Sequence, residues 1–179
     1  MPKKGFKWEY IVLSAVLTLS VLSLAYYSYD SVGVVRPLQQ SLLSDPDVTK
    51  VDMTKSSGVL VIEVALAKVE DLSVTYGRLY AAITKRLQPG TFQVKVVDQR
   101  DQRLSDVYHS VHYYLEEAAL RGNFGAMIDE CSTVLSQAGI ADYRITVDES
   151  RIYVQMALGE HYLYQVLERT SQQQGGATP

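Results

Sequence analysis

The stretch VLVIEVALA at residues 59–67 shows the clearest strand pattern in the chain. Every second residue over 60–66 is Leu, Ile or Val, and this alternation is typical of a strand with one buried face. Residues 48–54 alternate more weakly, and the SSG sequence at 56–58 between the two stretches favours a turn. The sequence therefore predicts a β-hairpin over residues 48–67.

Helices and a third strand are predicted on either side of this hairpin. LQQSLL at residues 38–43 has the pattern of a short amphipathic helix. Residues 71–87 carry apolar side chains three and four apart, with Asp71 placed to cap the start and Pro-Gly after the end. FQVKVVD at residues 92–98 alternates again. The first unit, residues 38–98, is thus predicted to be α-β-β-α-β.

A second unit is predicted over residues 99–170. It begins with a polar joint at 99–103, continues with helices over about 104–120 and from about 124 to Gly139, and then forms a hairpin over 143–158. A last helix is expected over 162–169, so that the order is α-α-β-β-α. The fold class is α+β, with a disordered tail at 171–179.

The two units share a pattern that resembles an internal repeat. EVAL at residues 63–66 and QMAL at residues 155–158 occupy the same place in the two predicted hairpins, each followed by a predicted helix. Similar elements in the same order are the signature of a repeated unit.

An uncharged stretch of nineteen residues, from Ile11 to Tyr29, precedes these units. As a helix it would span about 28 Å, close to the thickness of a bilayer core. Aromatic residues flank it, and the preceding residues carry Lys3, Lys4 and Lys7. These features predict a single transmembrane helix over 11–29, a cytoplasmic N-terminus at 1–10, a connector at 30–37 and an extracytoplasmic body at a cell membrane.

Two other interpretations of this stretch stay open. Ser23-Leu24-Ala25 resembles a signal-peptide cleavage site, so that the body would be secreted after cleavage behind Ala25. The KKGF sequence at residues 3–6 resembles the junction of type IV prepilins. That resemblance departs at Glu9, which falls at the fourth position after Gly5 and not at the fifth.

Composition excludes some classes of function. The chain has a net charge of −3. Because residues 1–10 carry more basic than acidic side chains, the net charge of the remainder is more negative than that of the whole chain. An acidic body argues against nucleic-acid binding, which needs a basic footprint. The single cysteine, Cys131, excludes an intrachain disulfide and lies on an apolar helical stripe, where burial in the core is expected.

The residues offer little chemistry. His109, His112 and Glu116 are spaced to share one helix face and are the candidate metal ligands, although one face does not close a site. No Gly-x-Ser-x-Gly elbow, phosphate loop or His-Glu-x-x-His motif occurs. No catalytic residue and no cofactor are therefore predicted. The thirteen tyrosines include Tyr113, Tyr153 and Tyr164, which lie off the main apolar stripes, as expected of interface residues or of half-buried edges.

The order α-β-β-α-β over residues 38–98, repeated in part over 125–169, is similar to the ring-building modules of secretion-system basal bodies and of stage III sporulation channels. This resemblance of topology implies a structural role, in which units pack side by side through heterologous contacts. The predicted function is a non-enzymatic, membrane-anchored assembly or protein-interaction module. The alternatives are a tethered sensor or ligand-binding module, an envelope enzyme or metal protein, and a cleaved secreted or prepilin-like protein.

Overall fold

The computed structural model of the protein describes residues 8–30 and 35–169. Within the first helix, it describes side chains only at Trp8 and residues 12–23. The predicted 171–179 tail and the lysines of the N-terminus lie outside these residues. The described elements are α1 (Trp8–Asp30), α2 (Arg36–Leu43), β1 (Val48–Ser56), β2 (Val59–Leu66), α3 (Leu72–Thr84), β3 (Phe92–Val97), α4 (Gln102–Arg121), α5 (Phe124–Gln137), β4 (Asp142–Val147), β5 (Arg151–Leu158) and β6 (His161–Glu168).

The first unit has the predicted α-β-β-α-β order. Its sheet runs β1-β2-β3, with β1 antiparallel and β3 parallel to β2. Ser57 and Gly58, both at positive φ, form the tight turn between β1 and β2. Ile62 and Val64 are fully buried with α2 and α3, as the alternation predicted. The opposite face of the sheet carries polar residues, among them the Glu63–Lys95 ion pair at 2.9 Å.

The second unit differs from the prediction at its last element. Residues 161–168 form the strand β6, and not a helix, which completes an antiparallel sheet of order β4-β5-β6. Leu163 of β6 is buried against the second core while Tyr164 is buried against the first. A strand that is buried on both faces has a nearly continuous run of apolar residues. Such a run also contains the three- and four-residue spacings of a buried helix face, so a helix was predicted here. The predicted internal repeat was therefore wrong, because the second hairpin is followed by the strand β6 where a helix was expected.

The two units pack closely against each other. Tyr153 and Tyr164 of the second sheet belong to the core of the first unit, together with Tyr76 of α3. The other face of the second sheet is covered by α4 and α5, around the buried Leu115 and Cys131. The first unit thus lies on one side of the second sheet, and α4 and α5 lie on the other. The boundary at residue 98 stays a prediction.

The apolar N-terminal stretch is helical, as α1, but the membrane prediction was wrong for the described residues. Within them, no helix combines the length and the apolar character that crossing a bilayer requires. This finding overturns the predicted anchor, and the single-pass localisation at a cell membrane falls with it.

Candidate functional site

Helix α4 carries the candidate metal ligands and ends where the sequence provides caps. The carboxylate of Asp101 accepts from the N–H of Leu104 at 2.8 Å and so caps the start. Gly122, at a φ of 76°, adopts the left-handed conformation that ends the helix. One face of α4 is buried in the second core through Leu104, Val107, Val111, Leu115, Ala118 and Ala119.

The three candidate ligands lie on α4 but do not converge. His112 Nε2 lies 3.9 Å from Glu116 Oε1, at the limit of an ion pair. The ring of His109 lies edge-on to Tyr113, with 6.0 Å between centroids. Among the described residues, no group of three or more His, Cys, Asp and Glu side chains is arranged to hold a metal ion. The geometry therefore gives no support to a metal site at these three candidates.

His112 is instead held by its neighbours on the helix. Its Nδ1 lies 3.3 Å from the hydroxyl of Tyr108, one turn earlier. Burial, with a smaller contribution from the negative charge of Glu116, raises the pKa of Tyr108 to about 12. The tyrosine therefore stays protonated over the physiological range and can donate a hydrogen bond to the imidazole.

The outer stripe of α4, consisting of His109, Tyr113, Glu116 and Leu120, lies opposite the buried face. These positions are four, three and four apart, so they line up along the helix. Tyr113 is 69% exposed and Leu120 is 59% exposed. The ring of His112 also lies edge-on to Tyr113, at 5.8 Å. Tyr113 is thus the centre of an exposed group of three rings.

A second constellation, which the sequence did not indicate, lies where the two units meet. The connection between β2 and α3 belongs to the first unit, but side chains of the second unit satisfy its backbone. The hydroxyl of Tyr164 accepts from the N–H of Val69 at 2.7 Å. Gln155 accepts from the N–H of Leu72 at 2.8 Å and donates to the carbonyl of Glu70 at 3.2 Å.

A cavity of about 280 Å³ opens beside this connection. Its walls come from the β2–α3 connection and from all three strands of the second sheet. The lining residues are Lys68, Val69, Glu70, Asp142, Arg144, Gln155, Met156, Ala157, Tyr162 and Tyr164. Two ion pairs join the units here, and each unit supplies one cation and one carboxylate. Lys68 pairs with Asp142 at 3.5 Å, and Asp71 pairs with Arg144 at 2.6 Å.

Tyrosines also fill the other end of the junction. The ring of Tyr76 on α3 lies edge-on to Tyr153 on β5, at 5.8 Å. The guanidinium of Arg151 lies 4.0 Å from the centroid of the Tyr80 ring, a cation–π contact. The hydroxyl of Tyr153 donates to Asp148 at 2.7 Å. Burial first, and this hydrogen bond second, raise the pKa of Tyr153 to about 12.

The off-stripe tyrosines therefore have two different roles. Tyr153 and Tyr164 are 3% and 2% exposed and form an interface within the chain, whereas Tyr113 remains open to solvent. The sequence placed all three off the main apolar stripes but could not distinguish the buried tyrosines from the exposed one. The partners of Tyr164, for example, lie more than ninety residues away in the chain.

Comparison with known proteins gives no family for the chain. No protein-family model matches it, and no curated protein is significantly similar to it.

Proposed function

We propose that the protein is a non-enzymatic assembly module that associates with further copies of itself. The observation that carries this proposal is the outer stripe of α4, where Tyr113 and Leu120 stand exposed on a helix whose other face is fully packed. Aromatic side chains are enriched at the centres of protein interfaces, and tyrosine contributes contact area at a low cost in side-chain entropy.

The chemistry of the stripe suits a protein partner better than a reaction. The ring of Tyr113 contacts those of His109 and His112, and Glu116 makes a long ion pair of 3.9 Å with His112. An exposed group of rings on a helix surface has no wall that excludes water, which catalysis and small-ligand binding both need. A partner surface would supply that exclusion on contact.

The order of elements in the first unit supports the same function. The α-β-β-α-β order resembles that of the ring-building modules of secretion basal bodies and sporulation channels. Such modules associate through heterologous contacts. In this chain, the second unit covers one flank of α3. The outer stripe of α4 lies on the far side of the second sheet and is left open for a neighbour.

Site-specific crosslinking of the full chain tests this proposal. A photo-reactive amino acid at position 113 is expected to give crosslinked oligomers in mild detergent, which also covers the exposed apolar side chains of α1. The matched control is position 74, because Val74 is another exposed helical residue, 55% accessible, on α3. Mass spectrometry of the products identifies the captured partner.

Sedimentation of variants gives the second measurement. Tyr113→Ala and Leu120→Ala are expected to shift the full chain toward the monomer, while Val74→Ala leaves its size unchanged. Exposed substitutions alter folding stability by no more than about 0.5 kcal/mol, so unchanged thermal unfolding would separate lost association from lost folding. A wild-type chain that stays strictly monomeric at high concentration would contradict the proposal.

A further inference from the structure

We propose that the cavity between the two units binds a small zwitterion of the free amino-acid type, with one carboxylate, one ammonium group and a short apolar side chain. This site lies apart from the outer stripe of α4 and does not depend on the assembly proposed above. Its lining residues come from the β2–α3 connection and from β4, β5 and β6.

The volume of the cavity limits the size of the ligand. At about 280 Å³, the cavity lies just below the ~300–1,000 Å³ range that is typical of ligand sites. A nucleotide or a long peptide would extend well outside it. A single amino acid is of the right size class.

The charges around the cavity favour a ligand that carries both signs. Lys68 and Arg144 supply cations, and Glu70 and Asp142 supply carboxylates, so the lining has no net charge. A purely anionic or cationic ligand would meet like charges at close range. A zwitterion can instead direct its carboxylate toward the cations and its ammonium group toward the carboxylates.

The Lys68–Asp142 pair provides the point of entry. The two groups are 3.5 Å apart, and their side chains are 52% and 68% exposed. Exposed ion pairs contribute only about 0–1 kcal/mol, so separating this one costs little. A zwitterion placed between the two groups replaces one long contact with two charge-assisted hydrogen bonds. The Asp71–Arg144 pair, at 2.6 Å, stays in place as the fixed side of the opening.

The walls of the cavity contribute both apolar contact and hydrogen-bond acceptors. Ala157 lines the cavity, is partly exposed and can contact a short aliphatic side chain, whereas Val69 and Met156 are 5% and 1% exposed and pack into the two cores behind it. The hydroxyl of Tyr162 donates to the carbonyl of Leu66 at 2.9 Å. Its oxygen keeps lone pairs that can accept from an ammonium group. Ligand and protein therefore match in charge, polarity and size.

Calorimetric titration of the full-length protein with L-alanine, L-valine and L-leucine tests the proposal. At least one of the three is expected to bind in the micromolar to millimolar range. The matched controls are the amide of that amino acid, which lacks the carboxylate, and its N-acetyl form, which lacks the ammonium group. Each should bind at least about tenfold more weakly, the loss expected for one charge-assisted contact.

Charge-removing variants assign the two ends of the ligand. Lys68→Gln is expected to weaken binding of the amino acid about tenfold without weakening the amide further, and Asp142→Asn should do the converse with the N-acetyl form. The controls Lys50→Gln and Asp52→Asn remove an ion pair of 2.6 Å on the open face of the first sheet and should leave binding unchanged. The proposal is overturned if none of the three amino acids binds at millimolar concentration, or if the blocked forms bind as tightly as the free one.

Discussion

The hydroxyl of Tyr164, in the last strand, accepts a hydrogen bond of 2.7 Å from the backbone N–H of Val69, in the connection between β2 and α3. The same hydroxyl lies 3.3 Å from the carbonyl of Ala67. A side chain of the second unit thus takes the place that a neighbouring strand or helix would take for these backbone groups. The first unit is complete only when the second is folded against it.

Removal of this hydroxyl should destabilise the whole protein. Tyr164→Phe leaves a buried N–H without its acceptor, and such a loss costs about 1–3 kcal/mol in the free energy of unfolding. Chemical denaturation of the two proteins measures the difference. The control is Tyr113→Phe, at an exposed tyrosine on α4, which should change stability by less than about 0.5 kcal/mol. Equal effects at both positions would contradict this role of Tyr164.

Gln155 should control the local order of the β2–α3 connection. Gln155→Ala removes the acceptor of the Leu72 N–H and the donor to the Glu70 carbonyl. We expect faster amide hydrogen exchange at Leu72, because its N–H loses a protein acceptor, and a stability loss of about 1–2 kcal/mol. Gln93→Ala, on an exposed position of β3, is the matched control. Unchanged exchange at Leu72 would show that Gln155 does not hold the connection.

The sequence predicts the first unit well because each of its strands has one buried and one exposed face. Alternation over residues 60–66 and the cap at Asp71 are local signals, and both are found in the structure. The strand β6 could not be predicted in this way, since both of its faces are buried by elements that are distant in the chain. The N-terminal prediction failed on another ground: apolar length predicted a membrane span, and the described residues contain no such helix.

The candidate sites divide in the same way. Helical spacing placed His109, His112 and Glu116 on one side of α4, but spacing does not fix where their side chains point. The rings of both histidines contact Tyr113. The cavity at the junction has no signal in the sequence. Lys68 and Asp142 are brought together only by the packing of β4 beside the β2–α3 connection.

Asp71 should make stability fall at acidic pH. Its carboxylate accepts from Ser73 and also pairs with Arg144, and these contacts hold its pKa below the ordinary value despite partial burial. A lowered folded-state pKa gives stability that is fully present above the unfolded pKa of about 4 and is lost as the pH falls below it.

The variant Asp71→Asn isolates this effect, because asparagine keeps a capping oxygen but carries no charge. We expect it to be less stable than the wild type at neutral pH, with a gap that narrows below about pH 4 as the wild-type carboxyl is protonated. Urea unfolding at a series of pH values measures the gap. A gap of constant size would show that the charge of Asp71 does not contribute.

Cys131 should be chemically inert in the folded protein. It is fully buried among the side chains of α4 and α5, and burial raises the pKa of its thiol to about 11, with a smaller contribution from Glu130. Since the thiolate is the reactive form, alkylation by iodoacetamide at pH 8 should be slow in the native state and fast in denaturant. Native labelling as rapid as that of the unfolded chain would contradict this burial.

The separation of ninety-five residues between Val69 and Tyr164 has a consequence for biosynthesis. Chains leave the ribosome from the N-terminus, so β1, β2 and α3 emerge long before the strand that closes their connecting segment. Contacts between residues so far apart in sequence form late and slow folding. Until β5 and β6 are released, the nascent first unit exposes Tyr76, which packs against Tyr153 of β5, and the backbone of its β2–α3 connection, which Gln155 and Tyr164 satisfy, and chaperones would find it most accessible at that stage.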